Sequence, residues 1–186
     1  MKLKKDLFLL LIILSIFTLN RDIIFADSTD ENPSFEIKGY TFTYENAPLE
    51  IKQHYKKSCE EIGVIPLPDD EIFISEKNIS NYNISRSSGT YTTYKIRAYE
   101  TYFEVTGSKN YIIYTSTTRV GYNYVTKGNA VHLVQLLLNR ANYDVYVDSS
   151  FGSETYKAVR RFQSKKSLTV DGIVGPKTWQ AFKKGL

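Results

Sequence analysis

Apolar residues recur with two different periods along this chain, and the change of period divides it. From Phe35 the run FEIKGYTFTYE alternates apolar and polar residues around Gly39, a pattern that predicts two short strands. Pro48 and Gly63 then bracket a segment in which Ile51, Tyr55, Cys59 and Ile62 share one face of a helix. Beyond the loop GVIPLPDD, the segments EIFIS, TYTTYKIRAYETYFEVTG and YIIYTSTTRVGYNYV are rich in Tyr, Thr, Ile and Val, which suit a pleated surface. TGSKN, between the last two, reads as a hairpin loop. Residues 35–125 are expected to form a small α+β domain with one helix laid on an antiparallel sheet.

From residue 127 the apolar period becomes helical. Ala130, Val131, Val134, Leu137, Leu138 and Ala141 recur in one segment, Thr155, Ala158, Val159 and Phe162 in a second, and Thr178, Trp179 and Phe182 in a third. Three short helices around one core are predicted, with His132 expected on the surface of the first. The two connections repeat each other. Asp148 and Asp171, Gly152 and Gly175, and Thr155 and Thr178 are each 23 residues apart, and Phe151 or Val174 precedes each Gly. Two copies are too few for a solenoid. Each copy reads instead as a turn that launches a helix: Asp folds its carboxylate onto nearby backbone N–H groups, and Gly takes angles closed to other residues. Pro176 suits the first helical position, which puts Gly175 at the cap.

The segments AVHLVQLLL, YDVYVDSSFGSETYKAVRRFQ and LTVDGIVGPKTWQAF together resemble the peptidoglycan-binding domain of bacterial cell-wall hydrolases, over residues 127–186. The resemblance rests on ordered positions that include Val131, Gln135, Tyr143, Phe151, Gly152, Thr155, Phe162, Gln163, Asp171, Gly172, Gly175, Pro176 and Trp179. It implies an all-α three-helix module that docks a protein onto murein, following the α+β half. A groove in such a module is expected to offer donors to stem-peptide carboxylates and an aromatic edge to sugar or alkyl groups, with Tyr143, Phe151, Arg160, Asp171 and Trp179 as the ligand-binding candidates. Competing assignments stand beside two of these: Asp171 as a holder of its turn, Trp179 as core. The family commonly has Gly where this chain has Asn142 and Ser149, so a differently shaped first turn is expected. No family is recognised for residues 35–125.

At the other end, Lys2, Lys4 and Lys5 precede an apolar run from Leu7 to Leu19, the grammar of a secretory signal with cleavage expected after Ala26. Thirteen residues fall short of the roughly 20 that span a bilayer, although an anchor extended through Ile23, Ile24 and Phe25 is the alternative. Residues 27–34, DSTDENPS, are expected to be a flexible leader, and the protein to be secreted or cell-wall associated. Cys59 is the only Cys, so no intramolecular disulfide forms. The overall charge of +4 hides a division, because residues 127–186 carry ten basic and four acidic residues while residues 27–126 carry ten and fourteen. A basic module suits an anionic wall polymer. Nucleic acid, the other usual partner of basic helices, is disfavoured by the export signal and by the lack of any zinc-finger, homeodomain or RNP-type motif.

The groups needed for murein hydrolysis are scarce. A catalytic zinc site needs three protein ligands, commonly with two His, and the chain's only two, His54 and His132, lie in different halves. His54 is about 140° around its predicted helix from Cys59, so a cysteine dyad does not close. Glu100 and Glu104, read as sharing a strand face, would stand about 13 Å apart, beyond the roughly 5 to 9.5 Å of glycosidase pairs. No catalytic residue, metal or cofactor is assigned, and the expectation leans to a non-enzyme. An autolysin with an unfamiliar carboxylate arrangement is the alternative. Eight of the fifteen tyrosines lie between Tyr91 and Tyr124, so a third reading is a surface adaptor that meets a protein or glycan partner through a Tyr-rich sheet.

Overall fold

The computed structural model describes residues 32–80 and 89–186. The expected signal, and the leader up to residue 31, lie outside them. Five strands, β1 (Ser34–Thr43), β2 (Glu71–Ser75), β3 (Thr90–Ala98), β4 (Tyr102–Thr106) and β5 (Tyr111–Tyr114), form one antiparallel sheet in the order β2-β1-β3-β4-β5. Helix α1 (Leu49–Glu61) follows β1, and the single-turn α2 (Glu76–Ile79) follows β2. The chain ends in α3 (Asn129–Arg140), α4 (Ser153–Lys165) and α5 (Pro176–Lys183). The fold class is α+β, as the two apolar periods predict.

Gly39 does not divide β1 into two strands. It pairs with Ser75 on one side and Thr92 on the other, within one continuous strand. A Cβ there would lie 2.1 Å from the Ile74 carbonyl oxygen and 2.7 Å from the Phe73 ring, so Gly39 permits a close approach by β2. The buried face changes along the same strand. Phe35 and Ile37 enter one apolar core, whereas Phe42 enters another with Ile51, Tyr55 and Cys59 of α1. β2 supplies both: Phe73 points to the first core, and Ile72 and Ile74 to the second. α1 therefore covers one face of the β1–β2 end of the sheet, and the C-terminal helices cover the opposite face.

The larger core runs without interruption from Phe35 to Phe182 and crosses the boundary expected near residue 126. α3 lies at its centre, with every residue from Ala130 to Asn139 buried, because a helix apolar nearly all round has no face to give to water. This corrects the expectation for His132. It is 2 % exposed, packs edge-on to Tyr94, and places Nδ1 2.6 Å from the Tyr111 hydroxyl. Burial holds its pKa down at about 3, so it is neutral at physiological pH.

Of the long segment after TGSKN, only Tyr111–Tyr114 is a strand. The remainder winds to Val120, which makes an antiparallel bridge with Val174. Two further bridges, Phe73 with Val147 and Lys127 with Ser150, tie the first repeated turn to β2 and to the segment before α3. Glu100 sits in the bend between β3 and β4, so it does not share a strand with Glu104.

Candidate functional site

The repeated phrases are two copies of one hydrogen-bonded lock. In each, a buried Gln from the preceding helix holds the turn that starts the next. Nε2 of Gln135 lies 2.7 Å from Asp148 Oδ1, 3.1 Å from the Ser150 carbonyl and 3.1 Å from Thr155 Oγ1. Its Oε1 accepts the backbone N–H groups of Asp148 and Ser149 at 3.0 and 2.9 Å. Gln163 repeats this with Asp171 Oδ1 at 2.8 Å, the Ile173 carbonyl at 3.0 Å, Thr178 Oγ1 at 3.3 Å and the Gly172 N–H at 2.9 Å. In each copy the Asp carboxylate also accepts the N–H two residues on, from Ser150 at 2.9 Å and from Ile173 at 2.8 Å.

The residue after each Asp is left-handed, with φ of 61° at Ser149 and 76° at Gly172. Ser149 thus takes the same left-handed region as Gly172 at the matched position of the second copy, and Asn142 is left-handed too, with φ of 65°. Gly172 has a second reason to be Gly, since a Cβ there would lie 2.1 Å from the Tyr156 ring.

The copies differ in what covers them. The first is sealed by α1. The Glu61 carboxylate accepts the Ser153 N–H at 2.5 Å and the Ser153 hydroxyl at 2.9 Å, which ties the end of α1 to the start of α4. His54 closes the same joint, with Nε2 3.1 Å from Glu154 and its ring stacked on Tyr146 at 3.7 Å. Asp148 is 2 % exposed, and burial pushes its pKa up to about 6.

The second copy is open. Asp171 is exposed and borders a cavity of about 470 Å³ whose other charged walls are Arg119 and Lys177, with Tyr124 and Leu168 as apolar walls. Arg119 lies 5.7 Å over the Tyr124 ring. The Val120–Val174 bridge brings this segment to the turn, because it fixes Arg119 beside the start of α5. A neighbouring cavity of about 550 Å³ shares Pro176 and Lys177 and continues past Glu100 to Lys183. Lys183 donates to the Glu100 carbonyl at 2.8 Å and to Thr115 at 3.0 Å, and burial lowers its pKa.

The five expected ligand-binding residues are not gathered in one place. Asp171 is on the open cavity. Trp179 is fully buried, donates Nε1–H to the Thr118 carbonyl at 2.9 Å and packs against Phe103. Phe151 is also fully buried, edge-on to Tyr122. Tyr143 is 8 % exposed beneath Arg161 and borders a separate cavity of about 270 Å³. Arg160 is exposed and lies over Tyr156. Arg119 and Tyr124 escape a reading of sequence spacing because they precede the C-terminal helices and reach the site only through a long-range backbone bridge.

Cys59 is fully buried, with its sulfur 3.7 Å from the Ser150 hydroxyl. Among the described residues, no three His, Cys, Asp or Glu side chains cluster closely enough to hold a metal ion. No helix among them is long and apolar enough to cross a membrane.

Two family models, each for a peptidoglycan-binding domain, match this chain, one over residues 33–97 and the other over residues 127–182. The first lies in the half for which sequence reading recognises no family. Among solved structures, the chain is similar to a crystal structure of a peptidoglycan-binding protein from Clostridioides difficile in complex with glutamine hydroxamate. The two are 38% identical, the match covers 80% of this chain and 92% of that one, and the TM-score is 0.70. With that identity sustained over nearly the whole of the relative, and with a domain of the same description matched in each half, the chain belongs to the peptidoglycan-binding proteins.

Proposed function

We propose that this chain is an exported, cell-wall-associated protein that holds peptidoglycan through its C-terminal module without cleaving it. The observation that carries the reading is the open second turn. Of two copies of the same lock, one is sealed by α1 and the other borders a cavity with Arg119, Lys177 and Asp171 on its walls. That mixture of a few charged groups with apolar walls suits a peptide-bearing polymer. The relative's complex with glutamine hydroxamate, an amino-acid derivative, supports recognition of the peptide part. Export rests on the basic and apolar signal of residues 1–26. The non-catalytic assignment is supported by a buried Cys59, a neutral buried His132 and a His54 engaged with Glu154.

The test is co-sedimentation of the full chain with purified murein sacculi, with and without teichoic acid, across a salt series, beside a murein zymogram. Salt-resistant pelleting without a cleared zone is the expected result. Pelleting only with teichoic acid at low salt would make the ligand an anionic wall polymer instead. A cleared zone would make the protein a hydrolase.

A second partner surface is favoured by the outer sheet. Tyr91, Ile112 and Tyr114 are exposed, and Tyr99 stacks on Tyr102 at 4.4 Å. A protein or glycan partner on this face would stay bound when the cavity is blocked by substitution.

A further inference from the structure

We propose that the cavity at the second turn is a seat for the carboxylate end of a peptide, built on the plan of a seat that the chain's own Glu61 fills at the first. The proposal rests on the peptidoglycan-binding reading above and names the group that is recognised.

The argument starts from Gly152 and Gly175, the matched positions ahead of α4 and α5. Their backbones agree, with φ and ψ of −78° and −176° at Gly152 and −102° and −170° at Gly175. Their surroundings do not. A Cβ at Gly152 would lie 2.8 Å from the Glu61 carboxylate and 3.2 Å from Ser58 Cα, whereas a Cβ at Gly175 would meet nothing within 4 Å. The space that a carboxylate occupies in the first copy is the open cavity of the second.

The donors have been exchanged. Ser153 holds Glu61 through its N–H and its hydroxyl, and Pro176 at the matched position has neither. The second cavity has Arg119 and Lys177 instead, and neither is in an ion pair among the described residues. A guanidinium and an ammonium supply charge-assisted donors stronger than the neutral pair they replace. Asp171 adds one negative charge to the same wall, with Oδ1 committed to Gln163 and Ile173. A site with two cations and one anion fits a single carboxylate next to an N–H donor, which is the C-terminal residue of a peptide. A carboxylate balances the net single positive charge of this wall, whereas a phosphate dianion would leave a negative charge uncompensated. The adjoining cavity, which shares Pro176 and Lys177, leaves room for the rest of the polymer.

The experiment is a titration of the isotopically labelled full chain, followed by amide shifts, with N-acetyl-D-alanyl-D-alanine, its C-terminal amide, and inorganic phosphate. The acid is expected to bind about tenfold more tightly than the amide, as one charge-assisted contact allows. Arg119→Gln and Lys177→Gln, on exposed side chains, should each abolish the preference with an unchanged melting temperature. Gly175→Phe, at ordinary backbone angles with free space ahead, should block both peptides. Equal binding of acid and amide, retention of the preference in both charge variants, or preference for phosphate would overturn the proposal. If the chain pellets with sacculi yet shows no preference for the acid, this proposal falls and the peptidoglycan reading stands. If it does not pellet with sacculi at all, both fall.

Discussion

Gln135 meets Asp148 at 2.7 Å in a site where both are almost wholly buried, and the bond ties α3 to the turn that launches α4. Removing the amide takes one donor from the Asp148 carboxylate and leaves two backbone N–H groups without their acceptor, away from water. Gln135→Leu is therefore expected to cost about 3 to 5 kcal/mol. Gln163→Leu, beside an exposed Asp171, should cost less, about 2 kcal/mol. Urea denaturation of the two variants checks the order, and an equal loss would count against the difference in burial.

Two buried groups with opposed shifts contribute to acid stability. Asp148 is raised from 3.8 to about 6, so the folded state binds its proton more tightly than the unfolded chain does. Its contribution is full below 3.8 and is lost as pH rises through 6, which costs on the order of 3 kcal/mol at neutral pH. His132 is lowered from 6.5 to about 3, so its contribution is full above 6.5 and is lost as pH falls towards 3. Between pH 4 and 6 the two effects largely cancel. The expected outcome is a shallow profile for the native chain, a steeper acid loss in Asp148→Asn, and a gentler one in His132→Gln, read as melting temperature against pH.

The core positions and the cavity positions should separate cleanly. Trp179→Ala and Phe151→Ala remove fully buried rings and are expected to cost about 3 to 5 kcal/mol, so any loss of binding should track unfolding. Arg119→Gln and Lys177→Gln should weaken binding without moving the thermal midpoint. Calorimetric melts beside binding assays on the same preparations make the comparison.

A fragment of residues 127–186 alone is expected to lose its fixed structure. α3 is buried from Ala130 to Asn139, and the core it shares with Phe35, Ile96 and Phe103 would be exposed by the cut. Poor amide dispersion in the fragment, against good dispersion in the full chain, is the predicted NMR result.

What sequence spacing could reach follows from these contacts. Helical periods in Thr155–Phe162 and Thr178–Phe182 were legible because those helices have one buried face. The matched Asp and Gly residues were legible as turns because their chemistry is local. Gly39 misled because its reason for being Gly is an approach by β2 from more than thirty residues away, not a turn. His132 misled because nothing local tells a helix that it will be covered on every side. The cavity was half legible: Asp171 is in the repeat, but Arg119 arrives through the Val120–Val174 bridge, a pairing with no local signal.

The most direct test of the central claim is sacculus co-sedimentation of the full chain beside the Arg119→Gln/Lys177→Gln double variant, at physiological salt. The account predicts that the native chain pellets and that the double variant, equally stable, stays in the supernatant. Pelleting of both to the same extent would place the peptidoglycan contact elsewhere on the molecule.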